Sequence, residues 1–185
     1  MKKITMFVAL TLCSLVMAQE KSKWMLGFGA NAIDNSASKD GIYFQTKNWN
    51  TVPVFSKFLV EYQAVEHLSV SAEVAINRFS AKKEHNGTQL LGNDANFVGV
   101  DVNAKYNVDH FFTTTKWFDA SIIGGFGSFW VDGQANQSFN PGIALDFWLG
   151  DAYGFRVQTL GRVAFDNNML GNNHLQHSIE FIFKI

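Results

Sequence analysis

Apolar and polar residues alternate along most of this chain with a period of two. The clearest run is Val98–Val108, in which the even positions are apolar or small, whereas Asp101, Asn103, Lys105 and Asn107 occupy odd positions. Because successive side chains of a β-strand point to opposite faces, this pattern predicts a strand with one apolar and one polar face. A chain built from such segments must form a sheet that separates two different environments.

The same alternation predicts eight strands. Their ranges are 23–31, 53–63, 67–78, 97–108, 116–131, 139–149, 151–163 and 174–185. The predicted connections are 32–52, 79–96, 132–138 and 164–173 at one end, and 64–66, 109–115 and 150 at the other. Long loops at one end and short turns at the other are typical of outer-membrane barrels. The sequence therefore predicts an all-β fold, an eight-stranded antiparallel up-and-down transmembrane β-barrel.

The first 18 residues have the pattern of a targeting segment. They open with Met-Lys-Lys, continue with an apolar stretch, and end at Val16–Ala18, a small-residue pattern that signal peptidase cleaves. We expect a cleaved signal peptide at 1–18 and an outer-membrane barrel domain at 19–185. Cys13 follows Leu12, where a lipoprotein signal needs a smaller residue, so Cys13 is expected to leave with the signal.

Charge and composition exclude several classes of protein. Lys and Arg number 15 against 16 Asp and Glu, so the formal net charge is −1 and there is no basic field to attract nucleic acid. After the signal, no run of about 18 apolar residues remains that could form a transmembrane helix. The 18 Phe residues favour strands.

The two faces of the predicted strands differ in chemistry. One face is apolar, and the formally charged residue on it is Arg78, which lies at a strand end. The opposite face carries the charged residues Lys57, Glu61, Glu73, Asp101, Lys105, Asp119, Asp146, Arg156, Arg162, Glu180 and Lys184. Its six acids and five bases nearly balance, and glycines and serines lie among them, as a crowded eight-stranded lumen requires. We therefore expect this face to point inward and the paired charges to plug the lumen.

Two other interpretations of the barrel stay open. A secreted lipocalin-like barrel with the same number of strands would turn the apolar face inward, around a small ligand. A small-solute outer-membrane channel would leave a continuous water path between the interior charges. The aromatic residues near the predicted strand ends, such as Trp24, Tyr62 and Trp130, favour a membrane barrel because aromatic girdles mark the two interfaces.

Three segments resemble the small outer-membrane barrels of the OmpA type. They are the opening strand from Trp24 to Asp34, the strand from Val100 to Tyr106 and the closing segment from His174 to Ile185. The resemblance implies that Phe181, Phe183 and Ile185 form the C-terminal signal that the barrel-assembly machinery reads, although such barrels usually end in Phe. Many OmpA proteins add a peptidoglycan-binding domain after the barrel, but the resemblance covers the barrel alone, so we do not expect a cell-wall tether.

The histidines and hydroxyl groups do not predict catalysis. His174 and His177 are three residues apart, which places them on opposite faces of a strand and makes a shared metal site unsuitable. Ser128 and His177 lie on strands that are not neighbours, so they do not predict a nucleophile and base on one wall. We expect no enzyme activity, no metal and no cofactor.

Specific binding is expected in the long loops, because loops on a rigid scaffold carry function. Tyr43, Phe44 and Trp49 in the first loop either contact a partner or fold back over the barrel rim. Lys82 and Lys83 in the second loop form a solvated tip or touch lipopolysaccharide phosphates. The expected partners are outer-membrane lipid and lipopolysaccharide, the assembly machinery during biogenesis, and a membrane-protein or extracellular partner bound through the loops, with no nucleic acid.

Overall fold

The described part of the chain forms a closed antiparallel barrel. The structure is a computed structural model, and it describes residues 23–35, 46–86, 91–112, 115–166 and 170–185. Within these residues eight strands follow one another around the barrel. They are β1 (Trp24–Asp34), β2 (Lys57–Val65), β3 (Leu68–Phe79), β4 (Ala95–Asn107), β5 (Phe118–Val131), β6 (Gln134–Phe139 and Gly142–Trp148), β7 (Tyr153–Ala164) and β8 (His174–Lys184).

Each strand pairs with its neighbours in sequence, and the first strand pairs with the last. Met25 on β1 lies opposite Lys184 on β8, and Asp34 lies opposite Leu175, so the ladder runs along the whole of both strands. The predicted fold, an eight-stranded antiparallel up-and-down barrel, is confirmed. We call the end with the connections 66–67, 108–117 and 149–152 the turn end, and the opposite end the loop end.

Both prolines lie where a strand is interrupted. Pro141 separates the two segments of β6, but the register to β5 is the same on both sides of it, so β6 is one strand with a missing ladder bond. Pro53 lies between β2 and a two-residue strand, Asn50–Thr51, that continues the pairing to β1. Proline has no backbone N–H to donate, which explains both interruptions.

One predicted loop is wrong. The segment 132–138 was expected to be a long connection, whereas β5 and β6 are joined by a two-residue turn at Asp132 and Gly133, with φ values of 47° and 82°. Positive φ at both positions matches the tight hairpin turn that Asp-Gly favours. Gln134–Phe139 extends β6 with mostly polar residues, so apolar alternation could not reveal it.

The helices of the described residues are two short 3-10 turns, Thr46–Asn48 and Asp109–Phe111. Neither approaches the length and apolarity that a membrane-crossing helix needs. The second turn lies in the connection 108–117, which is longer than the predicted turn 109–115.

The outward faces are apolar and the lumen is densely filled. Large exposed apolar side chains occur around the barrel, including Val60, Val102, Ile122, Phe155 and Ile179. The polar face of each strand points inward, and its side chains are buried although many of them are charged. A closed wall with an apolar exterior and a polar interior is the arrangement expected of a barrel that meets lipid on its outside.

Candidate functional site

A four-residue ion-pair network occupies the turn-end half of the lumen. Arg156 on β7 binds Asp146 on β6 through two hydrogen bonds, Nε to Oδ1 at 2.7 Å and Nη2 to Oδ2 at 2.8 Å. Its Nη1 donates to Glu61 Oε2 on β2 at 2.8 Å. Lys105 Nζ on β4 contacts the same two carboxylates at 2.9 and 3.1 Å. Because β2, β4 and β7 are not neighbours in the sheet, these contacts cross the lumen itself.

A second ion pair lies nearer the middle of the barrel. Lys57 Nζ is 2.5 Å from Glu73 Oε2, and both side chains are buried. Ser71 donates to the other oxygen of Glu73 at 2.7 Å, and Gln158 Nε2 on β7 donates to Oε2 at 2.9 Å. Since β3 and β7 are opposite walls of the eight-stranded barrel, this hydrogen bond spans its full width.

A third ion pair separates the charged half from the loop-end half. Arg162 donates to both oxygens of Asp101, at 2.8 and 2.5 Å, which is the bidentate geometry that guanidinium and carboxylate favour. Glycines make room for it, since a Cβ on Gly127 would lie 2.0 Å from Asp101 Oδ1 and one on Gly99 would lie 2.8 Å from Arg162 Nη2. Small residues at these positions therefore leave space for the large charged side chains of the lumen.

Glu180 lies in the same lumen with a weaker set of partners. It is fully buried, its Oε1 accepts a hydrogen bond from Ser178 at 2.7 Å, and its Oε2 has no hydrogen-bond partner among the described residues. In that part of the chain, no cationic side chain lies within 4.0 Å of its carboxylate. Glu180 therefore differs from the ion-paired acids of the lumen, because its close partner is a hydroxyl group and not a cation.

Two members of the predicted network lie at the rim instead. Asp119 accepts a hydrogen bond from Trp148 Nε1 at 2.7 Å, and Lys184 Nζ lies 3.8 Å from the centroid of the same indole ring. Lys184 is exposed. Both residues lie near strand ends, which open into a vestibule where, in the described part of the chain, these charges meet water and the Trp148 indole rather than an ion-pair partner.

That vestibule is a cavity of about 200 Å³ at the turn end. Its polar lining includes Glu61, Lys105, Asp119, Asp146 and Lys184. The charged half of the lumen therefore borders on water on one side. Its other side meets the Asp101–Arg162 pair.

The loop-end half of the lumen is aromatic, which the pattern of charges in the sequence did not predict. Phe79, Phe97 and Phe129 are fully buried and pack on one another, with ring centroids 5.6 and 5.9 Å apart. His174 stands edge-on to these rings, and Arg162 lies 5.7 Å from the centroid of Phe97. All three Phe residues occupy odd positions, and the odd positions of these strands face the lumen. Their odd numbering could therefore have predicted that these Phe side chains point inward.

Loop contacts cover the aromatic half. His85 is buried between two loops, with Nδ1 3.0 Å from Asn35 Oδ1 and Nε2 2.7 Å from Ser80 O. Asn86 N donates to Asn35 O at 3.0 Å, and Gly171 N donates to Asn86 Oδ1 at 3.2 Å. Burial, reinforced by the nearby Lys83 charge, lowers the pKa of His85 below its ordinary value. These contacts join three loops into a cap.

The predicted loop-binding residues divide into three groups. Trp49 folds back on the barrel, since its ring stacks on His177 with centroids 4.6 Å apart. Lys83 Nζ donates to the Trp49 carbonyl, whereas Lys82 is exposed. Tyr43 and Phe44 lie outside the described residues, as do the predicted signal peptide 1–18 and Cys13.

The C-terminal residues of the predicted assembly signal lie on β8 and just after it. Phe181 packs on Phe28 and Phe155, with centroids 5.8 and 5.7 Å apart, and 6.2 Å from Phe183. Ile185 is exposed. The three side chains alternate along the outer wall, and their role as an assembly signal stays a prediction.

Histidines do not gather into a metal or catalytic site in the described residues. His174 points into the lumen, whereas His177 lies on the outer wall, 3.0 Å from Thr159 Oγ1. His67 stacks on His110 at the turn end with centroids 4.1 Å apart. Within the ranges that the structure covers, no group of three or more metal-ligating side chains converges.

The sequence matches no protein-family profile and no curated protein sequence. The fold, however, is similar to solved structures of small outer-membrane barrels. Neisserial surface protein A (NspA) aligns with a TM-score of 0.60 and 11% identity over 89% of this chain and 98% of that chain. The N-terminal β-barrel domain of Pseudomonas aeruginosa OprF aligns with a TM-score of 0.53 and 9% identity over 87% and 97%.

The Escherichia coli outer membrane protein W aligns with a TM-score of 0.51 and 8% identity over 90% of this chain and 100% of that chain. At these identities the likeness establishes the fold and nothing finer. The fold is that of small outer-membrane barrels, as the resemblance to OmpA-type barrels implied.

Proposed function

We propose that this protein is an integral outer-membrane barrel whose lumen is closed and whose loops present a binding surface at the cell exterior. The observation that carries the proposal is the set of side-chain contacts that cross the lumen, above all Arg156 to Glu61 and Gln158 to Glu73. Contacts between opposite walls support a lumen that is closed at that level. The protein would then act as a rigid scaffold rather than as a conduit.

The membrane placement rests on the outer wall. Exposed Val, Ile and Phe side chains surround the barrel, and Trp24 pairs with Tyr62 at the turn end, with ring centroids 4.8 Å apart. Aromatic side chains at this level suit a membrane interface. In this placement the turn end faces the periplasm and the loop end faces outward, because long loops of such barrels are extracellular.

A variant pair tests which face meets lipid. Val102 is exposed on the outer wall, and the adjacent Asp101 points into the lumen. Val102→Arg should destabilise the barrel in bilayers by about 2–4 kcal/mol if that position lies near the midplane. Val102→Leu is the matched control and should be neutral. Normal folding of Val102→Arg in lipid, with detergent-free solubility of the wild type, would instead favour the secreted lipocalin-like barrel.

Conductance in planar bilayers tests the closed lumen. The expected result is insertion without steady ion current, since the ion pairs and the aromatic half block the path in series. The alternative is a small-solute channel, and the observation that favours it is the water-accessible vestibule at the turn end. Steady current from the wild type, altered in Lys105→Ala, would reject the closed lumen and support the channel.

The partners belong to the same proposal. The loop cap leaves Lys82 exposed, so this side chain is available to lipopolysaccharide phosphates or to an extracellular partner. Trp49 instead stabilises the loop against the wall. During biogenesis the exported chain, cleaved after Ala18, would engage the assembly machinery through Phe181, Phe183 and Ile185. Mass spectrometry of the purified protein should give an unacylated N-terminus near Gln19.

A non-catalytic role agrees with the site chemistry of the described residues. Four lumen carboxylates are held in ion pairs with Lys or Arg side chains, namely those of Glu61, Glu73, Asp101 and Asp146. Co-purification in mild detergent is the experiment that identifies the loop partner. A variant that removes Lys82 alone, Lys82→Ala, should reduce capture of an anionic partner without affecting the fold.

A further inference from the structure

The outer wall at the loop end of β5 and β6 carries two polar side chains in apolar surroundings. Ser128 on β5 lies directly opposite Gln137 on β6, and both belong to the outward faces of their strands. On the other side of Ser128, β4 contributes Val100. In the part of the chain that the structure describes, neither the Ser128 hydroxyl nor the Gln137 amide has a hydrogen-bond partner.

These two side chains lie in a groove with apolar sides. The groove has a volume of about 500 Å³ and is lined by Val102, Phe126, Trp130 and Phe165 besides the polar pair. Ser128 is smaller than its outward neighbours on the same strand, Phe126 and Trp130, and the groove exists because of that difference. It is a shallow, largely open depression in the outer wall, bordered by the rings of Phe126, Trp130 and Phe165.

The depth of the groove follows from Trp130. In the proposed placement this Trp, near the Asp132–Gly133 turn, marks the outer interface, where indole rings concentrate. Ser128 and Gln137 lie one outward-facing row further from the loops, about 7 Å along the strand. That level is where headgroups end and acyl chains begin, so amide and ester groups of lipids lie there.

A second polar pair on the outer wall provides the contrast. Thr159 and His177 hydrogen-bond to each other at 3.0 Å, and the Trp49 ring covers His177. The protein itself therefore pairs these two side chains and shields the imidazole ring. Ser128 and Gln137 have no such cover, and a polar group left unpaired in hydrocarbon costs several kcal/mol.

We propose that this groove binds one acyl chain of an outer-leaflet lipopolysaccharide, an inference that rests on the proposed outer-membrane placement. Ser128 Oγ and Gln137 Nε2 donate to the carbonyl oxygen of the amide or ester linkage, and Gln137 Oε1 accepts from an amide N–H. Below the linkage, the chain lies against Phe126 and Val102.

A cation near the groove complements the phosphates of the same lipid. Arg78 is exposed on the outer face of β3, where it lies opposite Asn96 on β4. It lies two strands from Ser128, about 10 Å across the sheet, and four residues, about 14 Å, closer to the loops along the strand direction. Headgroup phosphates therefore meet a guanidinium while the acyl linkage meets the polar pair, and the loop end selects the leaflet that contains lipopolysaccharide.

Native mass spectrometry of the full-length protein tests the proposal. The protein is reconstituted in nanodiscs of dioleoylphosphatidylglycerol containing rough lipopolysaccharide and then released in mild detergent. The wild type should retain one lipopolysaccharide per barrel. Ser128→Leu with Gln137→Leu fills the groove and removes its hydrogen-bonding groups, and should reduce this retention at least tenfold. Both changes make the outer wall more apolar, so the barrel should still fold.

The matched control is Ala104→Leu, which adds a side chain of the same size to the outward face of β4 on the turn-end side of the groove. It should retain lipopolysaccharide at the wild-type level. Equal retention by the double variant and the wild type would overturn the proposal, as would equal loss in Ala104→Leu or preferential retention of phosphatidylglycerol. A barrel that inserts but retains no lipid refutes this inference alone, whereas failure to insert refutes the proposed function.

Discussion

The two halves of the lumen fill the same kind of barrel in opposite ways. Toward the turn end, Arg156, Lys105 and their carboxylates form a charged network beside a water-accessible vestibule. Toward the loop end, Phe97, Phe129 and their neighbours form an apolar core beneath a cap of loops. The charged network at the turn end therefore borders on water, whereas the aromatic rings at the loop end are covered by loops.

The difference has an energetic cause. Ion pairs withstand burial only when every partner is supplied, and nearby water lowers the cost of imperfect pairing. Aromatic rings need no partners but leave a cavity when one is removed. The Asp101–Arg162 pair lies at the border between the charged half and the aromatic half. Its carboxylate accepts a hydrogen bond from Asn140, and its guanidinium lies against the Phe97 ring. Substitutions in the two halves should therefore fail in different ways.

The largest effect is expected in the aromatic half. Phe97→Ala removes a fully buried ring that contacts Phe79, Phe129 and His174. It should lower the free energy of unfolding by about 3–5 kcal/mol, because the rigid barrel cannot close around the cavity. Urea unfolding in lipid vesicles measures the change. Phe126→Ala, on the outer wall, is the control, and an equal loss there would contradict an apolar core in this half.

A smaller loss is expected in the charged half. Arg156→Ala leaves Glu61 and Asp146 with Lys105 as their remaining cation. Loss of one partner from a buried pair costs about 3–5 kcal/mol in dry interiors, and water from the vestibule should reduce that. The same unfolding assay measures it. Lys184→Ala at the rim should be neutral, whereas an effect as large as that of Arg156→Ala would mean that the rim belongs to the network.

The sequence revealed the charged half more readily than the aromatic half. Charges on one strand face require an inward orientation in a membrane barrel, so Lys57, Glu73 and Arg156 could be assigned from alternation alone. A Phe on the inward face looks like any other Phe, and only its odd position distinguishes Phe97 from the lipid-facing Phe126. Which acid pairs with which base depends on contacts across the lumen, and local patterns contain no information about those.

The loop end was the least predictable region. Alternation ended before Gln134–Phe139 because its inward residues are polar and its outward ones are mixed, and the hairpin was signalled by Asp132-Gly133 instead. The cap around His85 arises from contacts between residues up to 85 positions apart, such as Gly171 with Asn86. Long-range loop contacts of this kind follow from the closed barrel rather than from any local sequence.

Two buried carboxylates sharpen the comparison within the charged half. Glu73 bonds Lys57, Ser71 and Gln158, whereas Glu180 accepts a hydrogen bond from Ser178 and has no cation within 4.0 Å in the described residues. Glu73→Gln should cost about 1–3 kcal/mol, because Lys57 loses its counter-charge but the amide oxygen of Gln can still accept its hydrogen bond.

Glu180→Gln replaces a buried acid that lacks a close cation with a neutral amide of the same shape, and should leave the stability unchanged or raised. Chemical unfolding of both variants in lipid, side by side, gives the comparison. A larger loss for Glu180→Gln than for Glu73→Gln would show that Glu180 is a working member of the ion-pair network.

The smallest effect concerns the cap over the aromatic half. Burial lowers the pKa of His85, so the capped state favours the neutral ring, and the uncapped state has the ordinary histidine pKa of about 6.5. The contribution of His85 to the cap is therefore complete above pH 6.5 or so and is lost as the pH falls below that value. Proteolysis of the loops at pH 5.5 and 7.5 should show faster cleavage in acid, by a few-fold, while the barrel stays intact.

His85→Gln should abolish this pH dependence, and His67→Gln at the turn end should preserve it. Loops that are cut equally fast at both pH values in the wild type would show that His85 does not hold the cap closed.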